Sequence, residues 1–124
     1  MITQLRNELA EILGNIAHVH IVPHNVDRPN PPEIAIMPGS PWVEHGEVAS
    51  YGRPYDLRFQ LVVTVPRGEQ GRVLALLEGV AADVLALLGS GVGGWRVESV
   101  SQPYIIAGDT YQLPAVTINV RIPL

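Results

Sequence analysis

From Glu69 to Leu88 the chain reads EQGRVLALLEGVAADVLALL and closes on Gly89. This segment is short of charge, and that limits the folds open to so small a chain. Val73, Leu74, Leu77, Val80, Ala81, Val84, Leu85 and Leu88 recur at helical spacing and form one broad apolar stripe. The opposite side of such a helix is ordinarily charged. Here it carries Ala75, Gly79, Ala82 and Ala86, with only Arg72, Glu78 and Asp83 beside them. A seam of small residues lets a second backbone approach closely, so this helix is expected to pack on two sides. A chain of 124 residues offers one core. The second side, with Ala75, Gly79 and Ala82 at its centre, is therefore expected to meet either the first helix or another subunit.

The rest of the chain alternates between clear periodicity and punctuation. Residues 3 to 13 predict a first helix, with Thr3 as its N-cap, Leu5, Leu9, Ile12 and Ile16 on its apolar side, and Gly14-Asn15 as its stop. His18 to Val22 predicts a short strand. Pro23 to Pro32 predicts a rigid loop, because its prolines interrupt both helix and central strand. Ile34 to Met37 predicts a short buried strand. Residues 38 to 54, PGSPWVEHGEVASYGRP, are rich in turn formers and read as a long loop. Trp42 and Tyr51 within it want something to bury against.

Tyr55 to Val65 is the clearest strand. Tyr55, Leu57, Phe59, Leu61, Val63 and Val65 point one way, and Asp56, Arg58, Gln60 and Thr64 the other. That polar face either meets solvent or lines a pore. After the apolar helix, GSGVGG at 89 to 94 is a turn, Trp95 to Val100 a strand, and residues 110 to 122 a final strand with Val116, Ile118, Val120 and Ile122 inward. The expected architecture is α+β, a single domain over residues 1–124. A mostly antiparallel sheet carries two helices packed on one face, with a long loop between strands.

Composition narrows the chemistry. Hydrophobic residues make up 47% of the chain and charged residues 16%, which is a globular and not a disordered balance. No apolar run reaches membrane-spanning length, and the opening residues read as an amphipathic helix rather than a signal peptide, so folding inside the cell and no membrane partner are expected. The absence of cysteine removes disulfides, zinc-thiolate sites and a cysteine nucleophile. All eight basic residues are arginine, which removes Schiff-base lysine chemistry and a P-loop lysine. A net charge of −4 without a basic run argues against sequence-independent grip on nucleic acid.

Individual motifs offer little more. His18, His20 and His24 share strand parity, and Asp27 could complete a metal set, but Pro23 breaks the strand before His24. The glycines of GSGVGG follow a helix and precede a strand, the reverse of a phosphate cradle. No G-x-S-x-G occurs, and the serines have no histidine nearby in sequence. Glu33 and Glu98 could pair in space, but nothing distinguishes them from solvated residues. No catalytic residue, cofactor or metal site is expected, and what remains is interaction surface.

Several passages taken together are more specific: the opening MITQLRNELAEIL helix, the DRPNPPEIAIMPGSPW passage, the YDLRFQLVVTVPRG strand and turn, and WRVESVSQPYIIAGDTYQLPAVTINVRIPL at the end. In this order, around an alanine- and leucine-rich helix, the chain resembles the small tail terminator proteins of long-tailed bacteriophages, in particular of phages that infect actinobacteria. The resemblance implies a ring, typically a hexamer of this chain, that caps the tail tube in the virion, ends polymerisation of the tube protein and presents a surface to the head connector or head-closure protein. Assembly would take place in the host cytoplasm. The 38–54 segment would be an arm toward the neighbour, with Trp42, Tyr51 and Arg53 as contact residues. Asp56, Arg58 and Gln60 would face a lumen through which DNA passes without specific binding. Competing readings are a head-closure or connector adaptor of the neck and, in another class, a small metal- or ligand-binding enzyme domain.

Overall fold

The computed structural model describes residues 1–23, 30–50, 52–108 and 111–124. In chain order the elements are α1 (Ile2–Leu13), β1 (His20–Val22), β2 (Glu33–Ser50), β3 (Arg53–Thr64), α2 (Gln70–Leu88), β4 (Arg96–Val100), β5 (Tyr104–Ala107) and β6 (Gln112–Pro123). The strands form one sheet in the order β1-β2-β3-β6-β4, with β5 following β4 along the same edge of β6. Every pairing is antiparallel except β1 with β2. The fold is α+β, with both helices on one face of the sheet.

The centre of the sheet is the β3–β6 ladder, which runs without a break from Asp56↔Pro123 to Thr64↔Ala115. Strict alternation in both strands sends Leu57, Phe59, Leu61, Val63, Val116, Ile118, Val120 and Ile122 to the helix side, where all are buried. Leu9, Leu13 and Ile16 from the α1 end and Leu77, Val80, Val84 and Leu88 from α2 complete a single hydrophobic cluster with them. Each fully buried large aliphatic or aromatic side chain contributes roughly 1.5–3 kcal/mol. Trp95 closes one end of this core, its ring centroid 6.0 Å from that of Phe59. The glycine-rich run between α2 and β4 is a tight turn, with Gly91, Gly93 and Gly94 at positive φ.

Two expectations are corrected here, and one strand is added to them. The helix starts one residue earlier than Thr3, with Met1 at the N-cap position and no side-chain cap; Thr3 is inside the helix. The supposed short strand at 34–37 and residues 38–50 of the supposed loop form one long strand, β2, which pairs with β3 as a hairpin, and residues 53 and 54 open β3. A second strand, β5, occupies Tyr104–Ala107, which the pattern did not announce.

The physical reason for the second correction lies in how β2 accommodates its turn formers. Beyond Ala35 no strand pairs with its outer edge among the described residues, so Pro38 and Pro41 lie on an edge strand and need donate no ladder bond there. Pairing shifts between Pro38↔Phe59 and Val43↔Leu57, so residues 39–42 bulge opposite Arg58 alone. The bulge is stitched by Arg58, whose Nη1 donates to the carbonyls of Ser40 (3.1 Å) and Pro41 (3.5 Å). Gly39 is required at the crossing. A Cβ there would lie 2.7 Å from the Cβ of Arg58 and 2.8 Å from its carbonyl oxygen. The overlap is with backbone and Cβ atoms, which no rotamer change relieves. Gly39→Ala is therefore expected to lower stability by about 1–3 kcal/mol, read from the denaturant midpoint; an unchanged midpoint would show that the bulge moves freely.

Candidate functional site

The outer face of the sheet carries the densest chemistry. The β3–β6 register sets Arg58 directly opposite Arg121, and like charges across a ladder destabilise it. Three carboxylates converge on the pair. Arg58 Nε lies 2.8 Å from Glu98 Oε1 and 3.5 Å from Glu44 Oε1. Arg121 Nη2 lies 2.6 Å from Glu44 Oε1 and 2.9 Å from Glu98 Oε2, and its Nη1 is 3.2 Å from Asp56 Oδ2. Glu98 reaches the pair because β4 bulges between Val97↔Val120 and Ser99↔Asn119, which puts Glu98 and Ser99 consecutively on this face. Ser99 accepts from Asn119 Nδ2 at 2.9 Å. Burial pushes the Glu98 carboxyl up, but hydrogen bonds from Arg58 and Arg121 and their charge outweigh it and hold it below its ordinary value. Burial alone would lower the Arg121 guanidinium, yet its bonds and charge contacts with Glu98, Asp56 and Glu44 raise it.

This cluster changes the place of the polar strand face. Asp56, expected to face a lumen, is only 3% exposed and acts as a buried counter-ion to Arg121. Arg58 is likewise engaged in the network and in the β2 bulge. Gln60, opposite Asn119, is the part of the expected trio that stays clear of the ion network and partly exposed. Glu33 and Glu98 do not meet, since Glu33 accepts the backbone N–H of Asn30 at 2.9 Å.

Two apolar surfaces are left uncovered on the helix side. One is the arm, the far part of the β2–β3 hairpin. Val43 and His45 pair with Leu57 and Tyr55 on the side that faces the core further along; Leu57 is buried there, whereas Val43, His45 and Tyr55 are exposed. Tyr55 is 45% exposed, and Trp42 in the bulge 40%. The His45 and Tyr55 rings meet at 5.0 Å between centroids, tilted by 41°. Tyr51 and the side chain of Arg53 lie outside the described residues.

The other surface is the outward side of α2. Ala75, Gly79, Ala82 and Ala86 are all exposed, and a Cβ at Gly79 would meet nothing within 4 Å. The alternative that this seam packs on α1 is thereby overturned. The stripe buried on the core (Leu77, Val80, Val84, Leu88) is diametrically opposite the seam, so α1 and the sheet reach one side only. Leu74, Leu76 and Leu85 flank the seam at 42% exposure each.

Among the described residues no group of His, Cys, Asp and Glu is disposed to hold a metal ion. His18 has φ +63° and precedes β1, so it does not share a straight strand with His20; His24 and Asp27 lie outside the described residues. No helix among them is long and apolar enough to cross a membrane. Comparison with known protein families and with curated proteins returns no match.

The ion cluster makes a direct prediction. The folded-state value of Glu98 lies below its ordinary 4.5, so its contribution is full above that pH and disappears as the pH falls through the folded value. Stability should decline below about pH 4.5, and Glu98→Gln should flatten that decline; equal acid slopes would contradict the assignment. Arg121→Met leaves Asp56 and its neighbouring carboxylates without this guanidinium, and should cost about 3–5 kcal/mol at neutral pH.

Proposed function

We propose that the chain is a structural subunit of a phage neck, a tail terminator that closes into a ring on the finished tail tube. The observation that carries this reading is the pair of unlike uncovered apolar surfaces, the arm and the outward side of α2. A cyclic ring uses heterologous contacts, in which one patch of each subunit meets a different patch of the next. A chain with two such patches, at different places on its surface, has the equipment for that geometry. Trp42 and Tyr55 on the arm are the aromatic anchors, and the small residues of α2 provide the flat seam that receives a neighbour.

The ion cluster fits the same reading mechanically. Glu44 belongs to the base of the arm, and its contact with Arg121 ties the arm to the central strand. A pre-set arm loses less entropy when it docks than a floppy loop would. In this proposal the protein works by binding, without turnover. One side of the ring meets the tube protein, the other the head connector, and DNA passes through without base recognition. A net charge of −4 suits such a passage, since a basic lumen would retain DNA through its phosphates.

Two measurements test the proposal. Trp42→Asp with Tyr55→Asp should leave the circular-dichroism melt nearly unchanged, because both side chains are exposed, and should abolish ring assembly. Imaging particles from phage lacking the gene then separates the roles within the neck. Tubes of uncontrolled length support a terminator, whereas tails of normal length lying beside unjoined heads assign the chain to head closure.

A further inference from the structure

A cleft of about 820 Å³ opens between β5 and the first half of α2, at the opposite edge of the sheet from β1 and β2. Its volume is in the range of sites that hold a ligand. Val73, Leu74, Leu77, Ile105 and Pro114 make its apolar walls, and Arg67 with Gly68 stands at one end, in the turn that leads into α2. Ile105 is 61% exposed, an extreme value for a large aliphatic side chain on the helix face of a sheet. Among the described residues Arg67 has no carboxylate within ion-pair distance. The first amides of α2 do not provide the anchor, since Gly71 N–H already donates to Glu69 at 3.0 Å.

The register of β5 adds a second element. Gly108 donates to Tyr111 at 2.9 Å, which makes 108↔111 a hydrogen-bonded pair. By alternation the pairs Ile106↔Leu113 and Tyr104↔Ala115 are bonded too, while Ile105↔Pro114 and Ala107↔Gln112 are not. Pro114 agrees with this, because it has no N–H to give and its carbonyl accepts from Val65 on the other side. The N–H and C=O groups of Ile105 and Ala107 therefore point away from β6, along an edge where no further strand lies among the described residues. An open strand edge borders an apolar cleft that ends at Arg67, unpaired among the described residues.

We propose that this cleft is a binding site for an extended peptide segment bearing a carboxylate, which adds as a strand to β5 and sets its charge against Arg67. Strand addition uses the backbone groups of Ile105 and Ala107. Alternate side chains of the peptide then fall over Leu74 and Ile105, and the remainder face solvent. Charge complementarity selects an acidic peptide over a basic one, and the unpaired edge selects a peptide over a compact small molecule. The site lies away from the arm and meets the exposed apolar side of α2 only at Leu74, so variants at Arg67 and on the β5 edge test it apart from ring formation.

The test selects a bead-displayed library of random octapeptides against the intact protein. Selected sequences should share one acidic group and alternating apolar residues, bind one to one, and shift the amide resonances of Ile105 and Ala107. Arg67→Gln, on the exposed surface, should weaken binding about tenfold, the loss of one charge-assisted contact. Ala107→Pro removes one of the two edge donors and no ladder bond, and should weaken binding similarly while circular dichroism stays unchanged. N-methylation of the peptide should abolish binding at alternate positions only. No shared sequence, shifts confined to another surface, or full affinity in Arg67→Gln would overturn the proposal. So would laurate, titrated separately, shifting the cleft resonances when no peptide is selected, because the cleft would then belong to a small amphiphile.

Discussion

The pairing of β3 with β6 is the constraint on which the rest of this structure depends. Both strands alternate strictly, and their register is unbroken over the length of the ladder. One face of the ladder holds the hydrophobic core against the helices. The other face is obliged by the same register to set Arg58 against Arg121. That juxtaposition is tolerable only because Glu44, Asp56 and Glu98 surround it. The carboxylates come from three strands, so neutralising the two arginines also fixes β2, β3, β4 and β6 relative to one another. The bulge in β2 and the bulge in β4 both lie at this cluster, and each aims a group at a guanidinium. These two irregularities thus serve a single electrostatic requirement.

On the helix side the decisive fact is an imbalance in α2. Its buried stripe packs on the sheet together with α1, yet its outward side is small and apolar where a surface helix is ordinarily charged. Combined with the aromatic arm, this leaves the chain with more apolar surface than one core absorbs. Surfaces of that kind mark contact with other proteins. The outer face of the sheet, by contrast, pairs its charges with one another at the ion cluster and carries Gln60 opposite Asn119 beside it. The division is clear: the sheet face is closed on itself, and the helix face and arm are open.

Much of this was legible in the residues, for stated physical reasons. Periodicity of two gave β3 and β6 with their inward and outward sets, and periodicity of 3.6 gave both helices. The glycine run after α2 read correctly as a turn because its position relative to the helix is wrong for a phosphate cradle. What escaped was whatever depends on register or on three-dimensional neighbours. Parity placed Asp56 and Arg58 on one face but did not say that Arg121 sits opposite, nor that a bulge carries Glu98 to them. Prolines and glycines in 38–54 imitated a loop because the signal of an edge strand with a stitched bulge resembles that of a turn. β5 was hidden by its shortness and by Pro103. The seam of α2 was visible as a pattern, but only the structure could show that α1 lies on the other side.

The claim that the outward side of α2 is an assembly surface has a direct test in the mass of the protein in solution. Gly79→Leu fills open space, since a Cβ there has no neighbour within 4 Å, and replacing a helical glycine favours the fold. Light scattering on the purified chain of 13.4 kDa should give a closed assembly of about six subunits. The variant should give a monomer with an equal or higher melting temperature. A monomeric wild type, or an assembly that survives the leucine unchanged, would contradict the account.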